Sequence, residues 1–250
     1  MRSGPGPVAL VGSGEYLPVL EDVERALISG RPGRYVQLAT AAAPEGPRSL
    51  DRWHRLGADA ARRLGVEQVA LDVVDRDSAD DPECAAQVAG AGLIYLSGGN
   101  PTFLTQTLHG TAVWAAIVEA WRGGSALAGC SAGAMALSAS VPEIRRPRRD
   151  ARPGLGVVPM VEVLPHFDRM RTWRPEMVKR RVAGAPDGMQ VLGIDEDTAV
   201  VGGLDGWGET DPAGPGSTWR VLGRGSAWRF GPGAPGGPIE HVTGSTLVLT

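Results

Sequence analysis

The strongest constraint on the fold is a repeated join, in which a short, almost wholly apolar run meets a glycine-bearing loop and then an amphipathic helical pattern. Residues 8–11 run into Gly12-Ser-Gly14, residues 93–96 into Ser97-Gly-Gly-Asn100, and residues 126–128 into Gly129-Cys-Ser-Ala-Gly133. Residues 35–39 and 69–74 read as further strands of the same kind. Between them Leu20, Val23 and Leu27, then Trp53, Leu56, Ala60 and Leu64, then Val113, Ile117 and Trp121 recur at helical spacing. A short helix is expected to start near Pro82. Strands that are apolar throughout must be buried on both faces. That predicts an α/β fold, a mainly parallel sheet with helices on both sides. Such a sheet gathers its ligand site at the carboxyl ends of its strands, where the glycine loops fall.

With 250 residues, 42% of them hydrophobic and 21% charged, the chain fits one soluble domain over residues 1–250. A formal net charge of -3 supplies no general positive field for nucleic acid. The apolar run before Gly12 is too short for a signal peptide or a membrane span, so a cytoplasmic protein with no membrane partner is expected. Cys84 and Cys130 are isolated, and His54, His109, His166 and His241 lack metal-ligand spacing. Neither a metal nor a cofactor is therefore expected.

Beyond residue 140 the pattern changes. The basic run 145–149 reads as solvated surface. Residues 160–164 form a strand ending at Pro165-His166, followed by a charged helical stretch to about residue 182. Residues 191–194 lead through Asp195-Glu-Asp197 to residues 199–201, read as their hairpin partner. Residues 219–230 look like an antiparallel edge element. Residues 231–250 are expected to be an irregular extension with one last strand.

The run Gly129-Cys130-Ser131-Ala132-Gly133 fits a G-x-S-x-G elbow, and its context, strand before and Ala/Met/Leu helix after, matters more than the letters. Small neighbours permit a tight turn that holds Ser131 outward. The helix start behind it offers unpaired N–H groups to a developing oxyanion. Cys130 stands one place before the apex and reads as a packed thiol.

A serine nucleophile needs a base oriented by a third group. His166 lies just beyond a strand, at a site-facing end of the sheet. His54 and His109 sit in or beside helices. His241 is the base of a rival assignment, a conventional esterase with the acid before the histidine. One carboxylate of Asp195, Glu196 and Asp197 could accept the imidazole N–H, and position alone does not rank them. Asp168 is a weaker orienter. Gly98 or Gly99 could complete an oxyanion hole, because glycine lets backbone approach the scissile carbonyl. Asn100 could bind a substrate carboxylate or amide. Gly12-Ser-Gly-Glu15 lacks the full dinucleotide fingerprint.

Taken in order, Gly12-Ser-Gly-Glu15, Leu96-Ser-Gly-Gly-Asn100, Gly129-Cys-Ser-Ala-Gly-Ala134, Pro165-His-Phe167 and Gly193-Ile-Asp-Glu196-Asp-Thr-Ala199 resemble the serine-peptidase family of aspartyl dipeptidase and cyanophycinase. The resemblance implies a class I glutamine-amidotransferase-like, flavodoxin-like fold, with serine in place of the amidotransferase cysteine. It implies Ser131 as nucleophile, His166 as base, Glu196 as orienting acid, and Gly99 and Ala132 as oxyanion donors. Thr218–Gly225 looks like the family's C-terminal antiparallel hairpin. The Gly-Gly-Asn100 loop and Leu164-Pro-His-Phe167 look closer to the dipeptidase branch, which removes N-terminal aspartate from dipeptides. Gly193-Ile-Asp-Glu-Asp-Thr-Ala199 looks closer to the cyanophycinase branch, which cuts β-aspartyl-arginine links. Leu164-Pro165 stands where cyanophycinases carry Asp-Gln, which weakens that assignment. Arg169, Arg171 and Arg174 could include an aspartate-binding guanidinium.

The expected activity is hydrolysis of an amide bond in a small peptide, with an aspartyl residue on the acyl side. The competing readings are β-aspartyl-arginine cleavage, an esterase using His241, an amidotransferase-like domain using Cys130, and a silent binding domain. A homodimer through an exposed sheet edge or the C-terminal hairpin is compatible with the sequence.

Overall fold

The structure is a computed structural model, and it describes residues 4–141, 152–186, 188–204, 213–214, 216–231 and 237–249. The basic run 145–149 lies outside the described residues. The chain runs β1 (Val8–Val11), α1 (Glu21–Ile28), β2 (Arg34–Leu38), α2 (Pro47–Leu64), β3 (Glu67–Leu71), α3 (Arg76–Asp80), α4 (Pro82–Ala86) and β4 (Leu93–Leu96). It continues through α5 (Pro101–Leu108), α6 (Ala112–Arg122), β5 (Ala126–Cys130), α7 (Ala132–Leu137), β6 (Ser140–Val141), β7 (Arg152–Pro153), β8 (Val161–Leu164), α8 (Phe167–Trp173) and α9 (Pro175–Ala183). The last strands are β9 (Gln190–Ile194), β10 (Thr198–Gly202), β11 (Ser217–Gly223), β12 (Ser226–Phe230), β13 (Ile239–Val242) and β14 (Thr246–Leu249).

The larger sheet has the order β14-β11-β10-β1-β5-β4-β2-β3. Strands β1 to β5 are mutually parallel, and β10, β11 and β14 extend them antiparallel beyond β1. The fold is α/β with a mixed sheet and flanking helices. Both faces are apolar because successive side chains point opposite ways. Val8, Leu10, Ile94, Leu96 and Leu127 face Leu104, Leu108, Val113 and Ile117 of α5 and α6. Ala9, Val11, Tyr35, Tyr95 and Ala128 face Val23, Leu27, Ala60 and Leu64 of α1 and α2. Each fully buried Leu, Ile or Val here contributes about 1.5–3 kcal/mol of transfer free energy. Among the described residues no helix is long and apolar enough to cross a membrane.

The second sheet, β13-β12-β9-β8, corrects two expectations. Strand β10 is not the hairpin partner of β9: β9 pairs with β8 and β12, whereas β10 pairs with β1 and β11. Thr218–Gly225 lies largely in β11, which pairs antiparallel with β10 before it and with β14 after it, as the expected antiparallel element requires, whereas β12 joins the other sheet. Residues 239–249 are not irregular, because β13 closes the smaller sheet and β14 the larger. The chain changes sheet at residues 195–197, 224–225 and 243–245. Asp195 pins the first corner, accepting from Ser226 N at 3.0 Å and from Trp228 Nε1 at 3.1 Å. Thr198 Oγ1 accepts from Gly225 N at 2.8 Å and ties the first corner to the second.

Candidate active site

Ser131 stands at the carboxyl end of β5 with φ 50° and ψ -107°, a conformation costly for a residue with a side chain. The elbow is held by close approach on either side. A Cβ at Gly129 would lie 2.5 Å from Gly133 C, and one at Gly133 would lie 2.1 Å from Leu96 O. Only glycine fits at both, so the turn can press against β4 while the serine projects outward.

His166 follows β8 and is also left-handed, with φ 50° and ψ 40°. Its neighbour Phe167 is buried against Trp228 and Phe230, and Gly193 leaves room for that ring: a Cβ there would stand 2.4 Å from Phe167 Cγ. The Phe167 anchor sets the imidazole's base on the smaller sheet. Ser131 Oγ and His166 Nε2 are 3.1 Å apart, and His166 Nδ1 lies 2.7 Å from Glu196 Oε1. These three side chains are brought together.

The carboxylates at the first corner divide their work. Asp195 is buried among its Ser226 and Trp228 partners, and burial pushes its carboxyl above the usual range. Glu196 faces His166, and its backbone N–H donates to Asp168 Oδ1 at 3.0 Å. Asp168 thus braces the turn. Asp197 has φ 54° and donates its N–H to Ser13 Oγ at 3.4 Å.

Of the expected oxyanion donors, Gly98 drops out because its N–H donates to Glu15 Oε1 at 2.8 Å. Gly99, at φ 139°, is the next N–H on that loop; a Cβ there would meet Ala41 O at 2.3 Å. Ala132 opens α7, where the first N–H groups have no intrahelical partner.

The expected binding residues lie elsewhere in part. Asn100 Oδ1 caps α5, accepting from Phe103 N at 3.0 Å, so that oxygen is committed within the chain. Arg169 Nε reaches Glu196 Oε2 at 2.9 Å. The Arg171 guanidinium stacks over Trp228, 4.4 Å from the ring centroid. Arg174 is exposed at the end of α8.

Cys130 points to the opposite face of β5 from α5 and α6. Its thiol donates to Glu15 Oε2 at 2.8 Å, and burial followed by Glu15 pushes its pKa up, the reverse of what a thiolate nucleophile requires. His241 lies on β13 opposite Ala227, and burial lowers its pKa. Sequence reasoning weighs Asp168 only as a weak orienter of His166 and Arg169 only as a substrate ligand. It misses that Asp168 braces the Glu196 turn, that Arg169 pairs with Glu196 and that Gly193 makes room for Phe167.

The model of peptidase family S51 matches residues 49–203, a span that includes Ser131, His166 and Glu196. Cyanophycinase of Synechococcus elongatus is 34% identical over 192 residues, covering 73% of this chain and 55% of that protein. Cyanophycinase of Trichormus variabilis is 34% identical over 173 residues, covering 65% of this chain and 53% of its own. The chain thus spans about half the length of the curated relatives it matches. The solved structure of a peptidase from an acI-B1 Actinobacterium superposes with a TM-score of 0.87 at 37% identity, covering 100% of this chain and 99% of that one. A candidate peptidase E protein from Listeria monocytogenes EGD-e shares the fold, with a TM-score of 0.58 at 21% identity over 79% of this chain and 94% of that one.

Proposed function

The chain belongs to peptidase family S51, a family of serine peptidases, and from that premise we propose that it hydrolyses an amide bond in small peptides through Ser131. The observation that carries this reading is the unbroken run from Ser131 Oγ through both ring nitrogens of His166 to Glu196, at 3.1 and 2.7 Å.

His166 Nε2 takes the Ser131 proton as Oγ attacks the scissile carbonyl, and Glu196 holds the Nδ1–H tautomer. Gly99 and Ala132 N–H groups receive the oxyanion. His166 then protonates the leaving amine, and water, deprotonated by the same imidazole, releases the acid product and restores Ser131. We read the fold as class I glutamine-amidotransferase-like and flavodoxin-like, with serine at the elbow; the parallel order β1-β5-β4-β2-β3 supports that reading. A cytoplasmic location goes with the same proposal.

The preferred substrate is a dipeptide with aspartate on the acyl side. The second reading, β-aspartyl-arginine, draws on the curated relatives named cyanophycinase. The test is product formation from α-aspartyl dipeptides, β-aspartyl-arginine, non-acidic dipeptides and a simple ester, with Ser131→Ala beside wild type. Release of aspartate that depends on Ser131 supports the first reading, and β-aspartyl-arginine cleavage moves the assignment to the second. Full turnover by Ser131→Ala sinks both.

A further inference from the structure

Gly12-Ser-Gly-Glu15 takes no part in the chemistry above, yet its last residue reaches the middle of the site. Glu15 is only 6% exposed. Its Oε1 accepts from Gly98 N and its Oε2 from the Cys130 thiol, each at 2.8 Å. Cys130 is the residue before Ser131, and Gly98 is the residue before Gly99. One carboxyl therefore joins the immediate neighbour of the nucleophile to the immediate neighbour of an oxyanion donor.

The next residue reinforces the join. The Tyr16 hydroxyl bonds Ser97 Oγ at 2.9 Å, so consecutive side chains of the loop after β1 hold consecutive residues of the loop after β4. Tyr16 has φ 64°, a strained value for a residue with a side chain, and its N–H is held by Glu24 Oε1 at 3.2 Å. There is no slack between the parts. A Cβ on Gly98 would stand 2.8 Å from Glu15 Oε1 and 3.5 Å from Ser131 Cβ.

A buried carboxyl is costly to desolvate, and an apolar residue would fill the space beside Cys130 more cheaply. What the carboxyl supplies, and an apolar residue does not, is a fixed direction for the Gly98 peptide. We propose that Glu15 is a positioning residue for the reaction. It turns the Gly98 N–H away from the substrate and locks the loop carrying Gly99 against the turn carrying Ser131. Glu15 touches no reacting atom. The inference rests on the Ser131 hydrolase reading.

The test is steady-state hydrolysis of α-aspartyl-p-nitroanilide, together with the rate of Ser131 labelling by a fluorophosphonate. Wild type is compared with Glu15→Gln, Glu15→Asp and Ser131→Ala, each checked for folding by thermal unfolding. Gln keeps an acceptor oxygen at full length, whereas Asp keeps the carboxyl but withdraws it by one methylene. Glu15→Asp is expected to lower kcat and labelling about 10- to 100-fold with KM within about twofold, the scale of a misplaced oxyanion donor. Glu15→Gln should recover to within about fivefold of wild type by the same measure. If the Asp variant does not fold, Cys130→Ala releases the other arm and should cost about threefold or more in kcat alone. An Asp variant equal to wild type, a Gln variant as impaired as Asp, a loss confined to KM, or an unaffected Cys130→Ala overturns the inference. Wild type showing neither turnover nor labelling dependent on Ser131 removes the hydrolase reading, and this inference with it. A labelled wild type beside an equally labelled Asp variant removes this inference alone.

Discussion

Arg169 donates from Nε to Glu196 Oε2 at 2.9 Å, on the carboxylate oxygen opposite the one that lies 2.7 Å from His166 Nδ1. The acid is held from both sides, which restricts rotation about its terminal bond. Arg169 is 67% exposed, so solvent screens the pair and its effect is modest. Arg169→Ala is expected to lower kcat about three- to tenfold on aspartyl and non-acidic dipeptides alike. Kinetics on both substrates decide it, because a rise in KM limited to aspartyl substrates would mark the guanidinium as a substrate ligand instead.

Glu196→Gln should lower kcat by about 10²- to 10⁴-fold, since an amide nitrogen facing Nδ1 favours the wrong imidazole tautomer. Asp195→Asn should do something different, because Asp195 binds Ser226 and Trp228 rather than His166. Its cost is expected in stability, about 1–3 kcal/mol for a weakened buried hydrogen-bond pair. Parallel kcat and urea-unfolding measurements separate the two carboxylates; a kcat collapse in Asp195→Asn with normal stability would contradict the assignment.

Cys84 is partly exposed and Cys130 is buried with its thiol directed at Glu15. A thiol reagent should therefore modify Cys84 in the native protein and reach Cys130 only on unfolding. Turnover dependent on Ser131 should survive that treatment. Loss of activity in step with Cys130 modification would revive the amidotransferase-like reading.

Burial raises the Glu24 carboxyl from 4.5 to about 7, opposed by the Tyr16 and Tyr35 hydrogen bonds and by Arg63. A raised carboxyl favours the folded state when protonated. Its stabilisation is complete below pH 4.5, fades as pH rises, and is gone above about 7. The whole effect is at most about 3 kcal/mol. Glu24→Gln should abolish this dependence, so the urea stability of wild type relative to the variant should fall between pH 5 and pH 8. A constant difference across that range would be inconsistent with a buried, titrating Glu24.

The parallel strands and covering helices were legible because they are local: apolar runs, helical spacing and glycine loops lie next to one another in the chain. The elbow was legible for the same reason, and His166 because a strand end precedes it. The choice among Asp195, Glu196 and Asp197 was not. Adjacent residues at a corner point in unrelated directions, and what separates them is Ser226 and Trp228 from the far side of the smaller sheet. Strand partners were misread where three residues carry the chain from one sheet to another. Residues 191–194 and 199–201 have hairpin spacing, but their alternation says which faces are buried, not which sheet they join. Glu15 is visible in the sequence only as the end of a glycine-bearing motif with no role of its own, because its partners Gly98 and Cys130 lie 83 and 115 residues away.

Ser131 rides on the larger sheet, His166 on the smaller, and Glu196 on the corner between them. The 3.1 Å contact of Ser131 with His166 therefore spans a seam that neither sheet closes alone. The strands after Glu196 stitch that seam by crossing it repeatedly, although none of them supplies a group to the reaction. If Ser131 acts as proposed, turnover is a gauge of how the two sheets are seated, and slippage between them would abolish it while every helix and strand remained formed.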